Sequence, residues 1–209
     1  MVSEAISLCA SDIESVYYLE GSLAVPDSIE SVIISEKELE QISGLKTPNK
    51  ALAVIRKPNA TNRTNDQGLT LVLDSVQDPG NMGTILRIAD WFDIKDVICS
   101  NQTVECFNPK VVQASMGAIF RINVVYCDLM KWLSETKKPV YGALLEGENV
   151  YKTNLENDAV LILGNEGNGI SGEVQKLIDR PIMIPRFGQA ESLNVSIATG
   201  ILVSEFKRR

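Results

Sequence analysis

Residues 69–92 read LTLVLDSVQDPGNMGTILRIADWF. Leu69 to Leu73 is an apolar run of strand length, and a polar turn bearing Pro79 and Gly80 follows it. Gly80 and Gly83 suit a tight turn and a close backbone approach, and Asn81 is placed to cap a helix expected over Met82 to Phe92. On that helix Ile85, Ala89 and Phe92 form the stripe to be buried, while Thr84, Arg87 and Trp91 share another face. Arg87 is one of few charges in a strongly apolar helix. The local pattern leaves it either an ion pair with Asp90 one turn on or a functional cation.

Strand, turn and helix recur outward from this stretch. Strands are expected at Val97 to Cys99, Ile122 to Tyr126, Val140 to Leu144, Ala159 to Leu163 and Ile182 to Ile184. Helices are expected at Lys110 to Met116, Leu129 to Glu135, Glu173 to Ile178 and Asn194 to Phe206. Continuous apolar strands between helices predict an α/β domain, its mostly parallel sheet covered on both faces. Ligands in such sheets bind beyond the carboxyl ends of the strands, so the loops after Leu73, Leu144, Leu163 and Ile184 are where chemistry is sought.

Upstream, Pro58 to Gln67 (PNATNRTNDQ) loses apolar periodicity and reads as a linker. Residues 1–57 form a smaller α/β module, with buried strands expected at Val16 to Leu19, Val32 to Ile34 and Leu52 to Ile55. Ser35 followed by Glu38 is a capping box that starts a helix at Glu36, and Gly44 stops it after Ser43. At under about 60 residues such a module has a marginal core. The expected division is therefore 1–57, a linker at 58–67, and 68–209.

The 209 residues carry a net charge of −7 and no histidine. The charge argues against a simple electrostatic nucleic-acid binder. Without histidine, a Ser-His-Asp triad, a Cys-His dyad and an H-E-x-x-H zinc site are excluded, and no metal is expected. Proton transfer must rest on carboxylates, Lys, Tyr, Arg or water. No apolar run of about 18 residues and no secretory signal is evident. Cys9, Cys99, Cys106 and Cys127 form no Cys-x-x-Cys pair, read as buried small hydrophobes, and fit a reducing cytoplasm.

Two further loops concentrate polar residues. The loop after Leu163 reads GNEGNGISGE, with Gly164, Gly167 and Gly169 around Glu166. Its order is neither the dinucleotide fingerprint nor a Walker A loop. Glu166 projects into the crevice or stabilises a helix N-terminus. The last stretch, IPRFGQAESLNVSIATGILVSEFKRR, sets Ser192 and Asn194 at the start of the final helix, with Ser192 a candidate N-cap.

Taken together, DPGNMGTILRIAD, LGNEGNGIS and IPRFGQAESLNVSIATGILVSEFKR resemble, in order and spacing, the three motifs of the SpoU (TrmH-like) family of RNA ribose 2′-O-methyltransferases, within the SPOUT superfamily. The intervening FNPKVVQASMGAIFRINV is similar to the family too, and the likeness covers Leu69 to Arg209. The run VIISEKELEQISGLKTPNKALAVIRKP resembles, less closely, the family's substrate-binding module, which has an L30e-like fold.

The resemblance implies a trefoil-knotted catalytic domain preceded by a small, truncated L30e-like RNA-binding module, a homodimer formed through the catalytic domain, and S-adenosylmethionine as cofactor. It implies that Leu144, Gly164, Glu166, Ile184, Leu193 and Asn194 contact that cofactor, and that Asn81, Arg87, Glu166, Ser192 and Asn194 form the catalytic polar set. Arg87 is expected to stabilise the charge developing on the ribose oxygen and to grip the adjacent phosphate. Arg121, Arg186 and the terminal Lys207 to Arg209 are expected to help Arg87 hold phosphates. Residues 1–57 hold nine acidic and five basic residues, so the acidic excess weighs on the smaller module. An RNA substrate, ribosomal sooner than transfer RNA, is the expected partner. The alternative is a cofactor- and RNA-binding protein with weak or no catalysis alone.

Overall fold

In the computed structural model, residues 1–57 and 67–208 are described. They belong to two units that divide at residue 59/60. The linker expected at 58–67 lies outside the described residues except for Gln67.

The smaller unit holds α1 (Val2–Cys9), β1 (Ile13–Tyr18), β2 (Ser31–Ile33), α2 (Glu36–Ile42) and β3 (Ala51–Ile55). Its sheet has the order β2-β1-β3, with β1 parallel to β2 and antiparallel to β3. The capping box forms: the Glu38 backbone N–H donates to Ser35 Oγ, and the Ser35 N–H donates to Glu38 Oε2 at 2.8 Å. Its apolar core is Ala5, Val16, Ile29 and Leu39, a small set for a unit of this size. Two expectations are corrected. Helix α1 was not anticipated, although Val2, Ala5, Ile6 and Cys9 stand at helical spacing along its less exposed side. Strands β2 and β3 are the two outer strands of the sheet, so β2 is exposed throughout and β3 buries no residue fully, where both were expected to be buried.

The larger unit carries β4 (Thr70–Leu73), α3 (Pro79–Trp91), β5 (Asp96–Ser100), α4 (Pro109–Ser115), β6 (Asn123–Cys127), α5 (Leu129–Glu135), β7 (Val140–Asn149), β8 (Val160–Leu163), α6 (Gly172–Gln175), β9 (Arg180–Met183) and α7 (Val195–Lys207). The strand order is β6-β5-β4-β8-β7-β9, and every neighbouring pair is parallel. Successive residues of central β4 serve opposite cores, as the two-residue period of a strand requires. Leu71 and Leu73 pack with Met82, Ile85, Leu86, Leu202 and Phe206 from α3 and α7. Val72 packs with Ile98, Ile162, Leu129, Leu133 and Val174, the last three from α5 and α6. On the first face, a Cβ at Gly83 would lie 2.5 Å from the Cβ of Ala114, so the glycine is what lets α3 and α4 close together.

Boundaries differ from expectation at two places. Ala143 and Glu148 both pair with Ile182, so β7 runs past Leu144 with residues 144–147 looped out of register. Helix α6 is a single turn where Glu173 to Ile178 was expected. Cys99 and Cys106 are buried as anticipated, whereas Cys9 and Cys127 are only half-buried; all four are free thiols. Among the described residues no helix is long and apolar enough to cross a membrane.

Candidate active site

The carboxyl edge of the larger sheet gathers the three loops singled out in the sequence. Asp78, not Asn81, caps α3: its Oδ1 accepts from the Asn81 backbone N–H at 2.8 Å, with Pro79 opening the first turn. The expected capping role of Asn81 is thereby corrected, and its side chain is freed for other partners. Its Nδ2 donates to Glu166 Oε1 at 3.0 Å, and its Oδ1 accepts from Asn194 Nδ2 at 2.9 Å. Asn81 is buried, so these bonds satisfy an amide that water does not reach freely.

Glu166 also accepts from the backbone N–H groups of Gln77 at 3.3 Å and Asp78 at 3.2 Å. It therefore does sit at a helix N-terminus, but that of α3, 85 residues away, and not that of the helix following its own loop. Burial pushes its carboxyl up, yet the hydrogen bonds from Asn81 and the backbone of Glu166, Gln77 and Asp78 outweigh this and hold it below the usual carboxylate range. Its loop is shaped by Asn165, whose Oδ1 accepts from the Gly167 and Asn168 N–H groups at 2.9 and 3.0 Å while Nδ2 donates to the Ser75 carbonyl at 2.7 Å. A Cβ at Gly164 would come within 2.1 Å of the Gly169 carbonyl carbon, so only glycine fits there. Buried Asp74 ties the same loop down by accepting from the Ser171 N–H at 2.7 Å.

Asn194 caps α7, accepting from the N–H groups of Ser196 at 2.9 Å and Ile197 at 3.3 Å. Ser192 is thus not the cap; it stands exposed two residues earlier. Ser196, which sequence reasoning passed over, is buried and donates its hydroxyl to Asn194 Oδ1 at 2.6 Å. The Asn-x-Ser spacing at a helix start was the signal available for it. Asn165 and Asp74 were missed as well, each masked by a bland turn composition.

Arg87 lies two turns into α3, exposed, and makes no ion pair with a described residue. Asp90, its suggested partner, is taken instead by Arg121, whose Nε donates to both carboxylate oxygens at 2.9 and 3.0 Å and whose Nη2 donates at 2.8 Å. The ion-pair reading of Arg87 is therefore corrected, and Arg121 is a neutralised cation, not an open phosphate ligand. Arg186 is exposed and donates to the Ala190 carbonyl at 3.3 Å, and Arg208 pairs with Glu205 at 2.8 Å. Arg209 lies outside the described residues. Arg87 borders an open cleft of about 550 Å³ between α3 and α4, with Asn81, Thr84, Lys110, Gln113 and Met116 among its walls.

Of the residues expected against a cofactor, Leu144, Gly164 and Ile184 lie on or just past three adjacent parallel strands, β7, β8 and β9, while Leu193 and Asn194 lie at the start of α7. Gly142 pairs with Ile162 and Ala143 with Ile182, which sets Leu144, Gly164 and Ile184 at one carboxyl edge. Leu144 and Ile184 are half-buried, and Leu193 is 49% exposed. Apolar side chains beside a backbone loop that bears no side chain at Gly164 fit a ligand with a flat ring and a flexible aliphatic arm.

A family model described as the SpoU rRNA Methylase family matches residues 68–204, from β4 through α7. The chain belongs to the SpoU family. It is thereby an RNA methyltransferase, and S-adenosylmethionine is the methyl donor of SpoU methylases. Relatives of this SpoU chain include the 23S rRNA (guanosine(2553)-2′-O)-methyltransferase RlmP of Bacillus subtilis, 34% identical over 84% of this chain and 71% of its own length. The 23S rRNA (guanosine-2′-O-)-methyltransferase RlmB of Neisseria meningitidis is 33% identical over 68% of this chain and 58% of its own. Among solved structures, a putative RNA methyltransferase of the TrmH family from Porphyromonas gingivalis is 40% identical, with a TM-score of 0.89 over 99% of this chain and 86% of its own. The AdoMet-bound rRNA methyltransferase of Sinorhizobium meliloti is 25% identical, with a TM-score of 0.85 over 99% and 84%. The α/β architecture with a parallel sheet is that of these SpoU structures.

Proposed function

We propose that this SpoU methylase transfers a methyl group from S-adenosylmethionine to a ribose 2′-hydroxyl of ribosomal RNA. The observation that carries the reading is the chain of side-chain bonds Glu166–Asn81–Asn194, which joins the starts of α3 and α7 to the β8 loop near Arg87, a cation with no ion pair among the described residues. The ribosomal names of the relatives favour ribosomal over transfer RNA.

When bound, S-adenosylmethionine would supply a methyl sulfonium open to in-line attack by an oxygen: the O–CH3 bond forms as the S–CH3 bond breaks, the sulfur leaves as the neutral thioether, and the hydroxyl proton passes to water. Leu144, Gly164, Ile184 and Leu193 would hold the donor at the carboxyl edge, and Glu166 and Asn194 would offer it polar contacts. Positioning supplies much of the acceleration in such a transfer. Arg87 faces the acceptor: its planar cationic fork stabilises the charge growing on the 2′-oxygen and grips a neighbouring phosphate, a role distinct from that of a base. Glu166 is a weak proton acceptor at neutral pH because four hydrogen bonds favour its ionised form. Its work is to hold Asn81 and the turn before α3. Ser192, exposed on the loop before α7, lies free to meet the acceptor. Arg186 adds a phosphate contact from the same loop.

Three further features belong to this proposal. The chain leaves edge strand β9 and returns to set α7 against α3, which supports the trefoil knot. The β2-β1-β3 sheet with α1 and α2 supports an L30e-like module at 1–57. Trp91 and Ile197, 84% and 56% exposed on α3 and α7, support a homodimer through the catalytic domain. The free thiols suit the cytoplasm.

Incubation with methyl-labelled S-adenosylmethionine and unmodified ribosomal RNA, followed by digestion to nucleosides, tests the reading. Label in a 2′-O-methylnucleoside is the expected result. Label confined to a base, or none with any RNA, overturns it.

A further inference from the structure

The α3–α4 cleft holds more chemistry than Arg87 alone uses. Lys110, at the start of α4, is exposed, and its ammonium has no partner among the described residues. Gln113, one turn later, leaves its side-chain amide likewise unbonded. Met116 closes the cleft with an apolar side chain 62% exposed, on a backbone held at φ +51°. Met116 is the left-handed C-cap of α4, with its N–H donating to the Gln113 carbonyl, and this fixes where its side chain stands at the cleft. The floor is fixed by the Gly83–Ala114 approach, so the two cation-bearing helices keep a set spacing.

These groups complement one nucleotide unit of single-stranded RNA. A guanidinium and an ammonium suit phosphodiester oxygens, a thioether side chain suits the face of a base, and a primary amide offers both donors and an acceptor to a base edge. A volume of about 550 Å³ accommodates such a unit. The chain's net charge of −7 strengthens the point, because attraction to RNA must then be local.

We infer that Lys110 and Gln113 make this cleft a nucleotide-binding subsite for the RNA substrate, with Lys110 on a backbone phosphate and Gln113 selecting the base stacked on Met116. The inference rests on the RNA substrate proposed above. It adds a specificity-determining residue to the three sequence motifs from outside them.

The test uses the full chain and four 12-nucleotide RNAs, r(A)12, r(C)12, r(G)12 and r(U)12, in filter binding across a salt series. S-adenosylmethionine binding is followed in parallel by calorimetry. Lys110→Ala is expected to lower the slope of log affinity against log salt by about 0.7, the loss of one single-strand phosphate contact, and Lys110→Arg to restore it. Gln113→Leu is expected to narrow the spread of affinities among the four RNAs by about tenfold while leaving the salt slope unchanged. Cofactor binding is expected to be the same in all variants. Unchanged slopes for Lys110→Ala, or an unchanged spread for Gln113→Leu, overturn the subsite. Failure of the wild type to bind S-adenosylmethionine strikes the methyl-transfer reading alone, because the cleft is judged by RNA affinity.

Discussion

Asn194 donates its side-chain amide to Oδ1 of Asn81 at 2.9 Å, across 113 residues of sequence. Asn81 donates onward to Glu166, so its amide is the joint at which the first and last motifs meet the middle one. Removing the joint leaves partners on both sides unsatisfied. Asn81→Ala is therefore expected to destabilise by about 1–3 kcal/mol. In a double-mutant cycle with Glu166→Gln, the two losses are expected to fall short of additivity by about 0.5 kcal/mol or more. Urea unfolding of the four proteins checks this; strict additivity removes the network from the account of the site.

Arg87 is expected to act on the transition state more than on binding. Arg87→Ala should lower methyl transfer by about 10²–10³-fold with the affinity for S-adenosylmethionine unchanged. Arg87→Lys should recover little, because a point charge does not reproduce the planar fork. Single-turnover assays with calorimetry of the cofactor separate the two effects. A loss that appears wholly in cofactor affinity would place Arg87 elsewhere in the site.

The depressed carboxyl of Glu166 sets a pH dependence. A group whose folded pKa lies below its ordinary value of 4.5 adds stability that is present above that value and is lost as pH falls through the folded pKa. Wild type is expected to exceed Glu166→Gln in stability at pH 7, with the gap closing below about pH 4. Thermal melts of both proteins from pH 7 to pH 3 read it directly. A gap constant with pH would mean that the ionised carboxylate is not what the Asn81 amide and the two backbone N–H groups recognise.

Gly83→Ala places a methyl 2.5 Å from the Ala114 side chain and 2.9 Å from its backbone carbon, with no flexible neighbour to yield. Overpacking of this kind costs about 1–3 kcal/mol. For a chain of this size that lowers Tm by roughly 2–4 °C per kcal/mol. Because α4 carries Lys110 and Gln113, the same change is expected to weaken RNA binding while cofactor binding persists.

Much of this was legible in the sequence because the strands are short apolar runs and the helices carry clear stripes. Leu69 to Leu73 and Ala159 to Leu163 became neighbouring central strands, and Asn81, Glu166 and Asn194 converge as their motifs implied. What was hidden depends on long-range partners. Local spacing offers Asp90 to Arg87, but Arg121, 31 residues away, takes it with a bidentate grip that no i,i+3 pattern encodes. Asn81 looks like a cap until Asp78 is seen to occupy that role three residues earlier. Helix α1 was missed for a different reason: its stripe of Val2, Ala5, Ile6 and Cys9 spans only eight residues, and no capping side chain marks its start.

The strand order has a consequence for biosynthesis. Strand β4 lies at the sheet's centre, yet its neighbour β8 is made some 90 residues later, and α7 later still. Pairings this distant in sequence form slowly and cannot form on a nascent chain that lacks the later strands. Asn81 therefore stays without its Asn194 partner until α7 has been made and packed. The orientation of the site is a product of the last pairing made and not of the first.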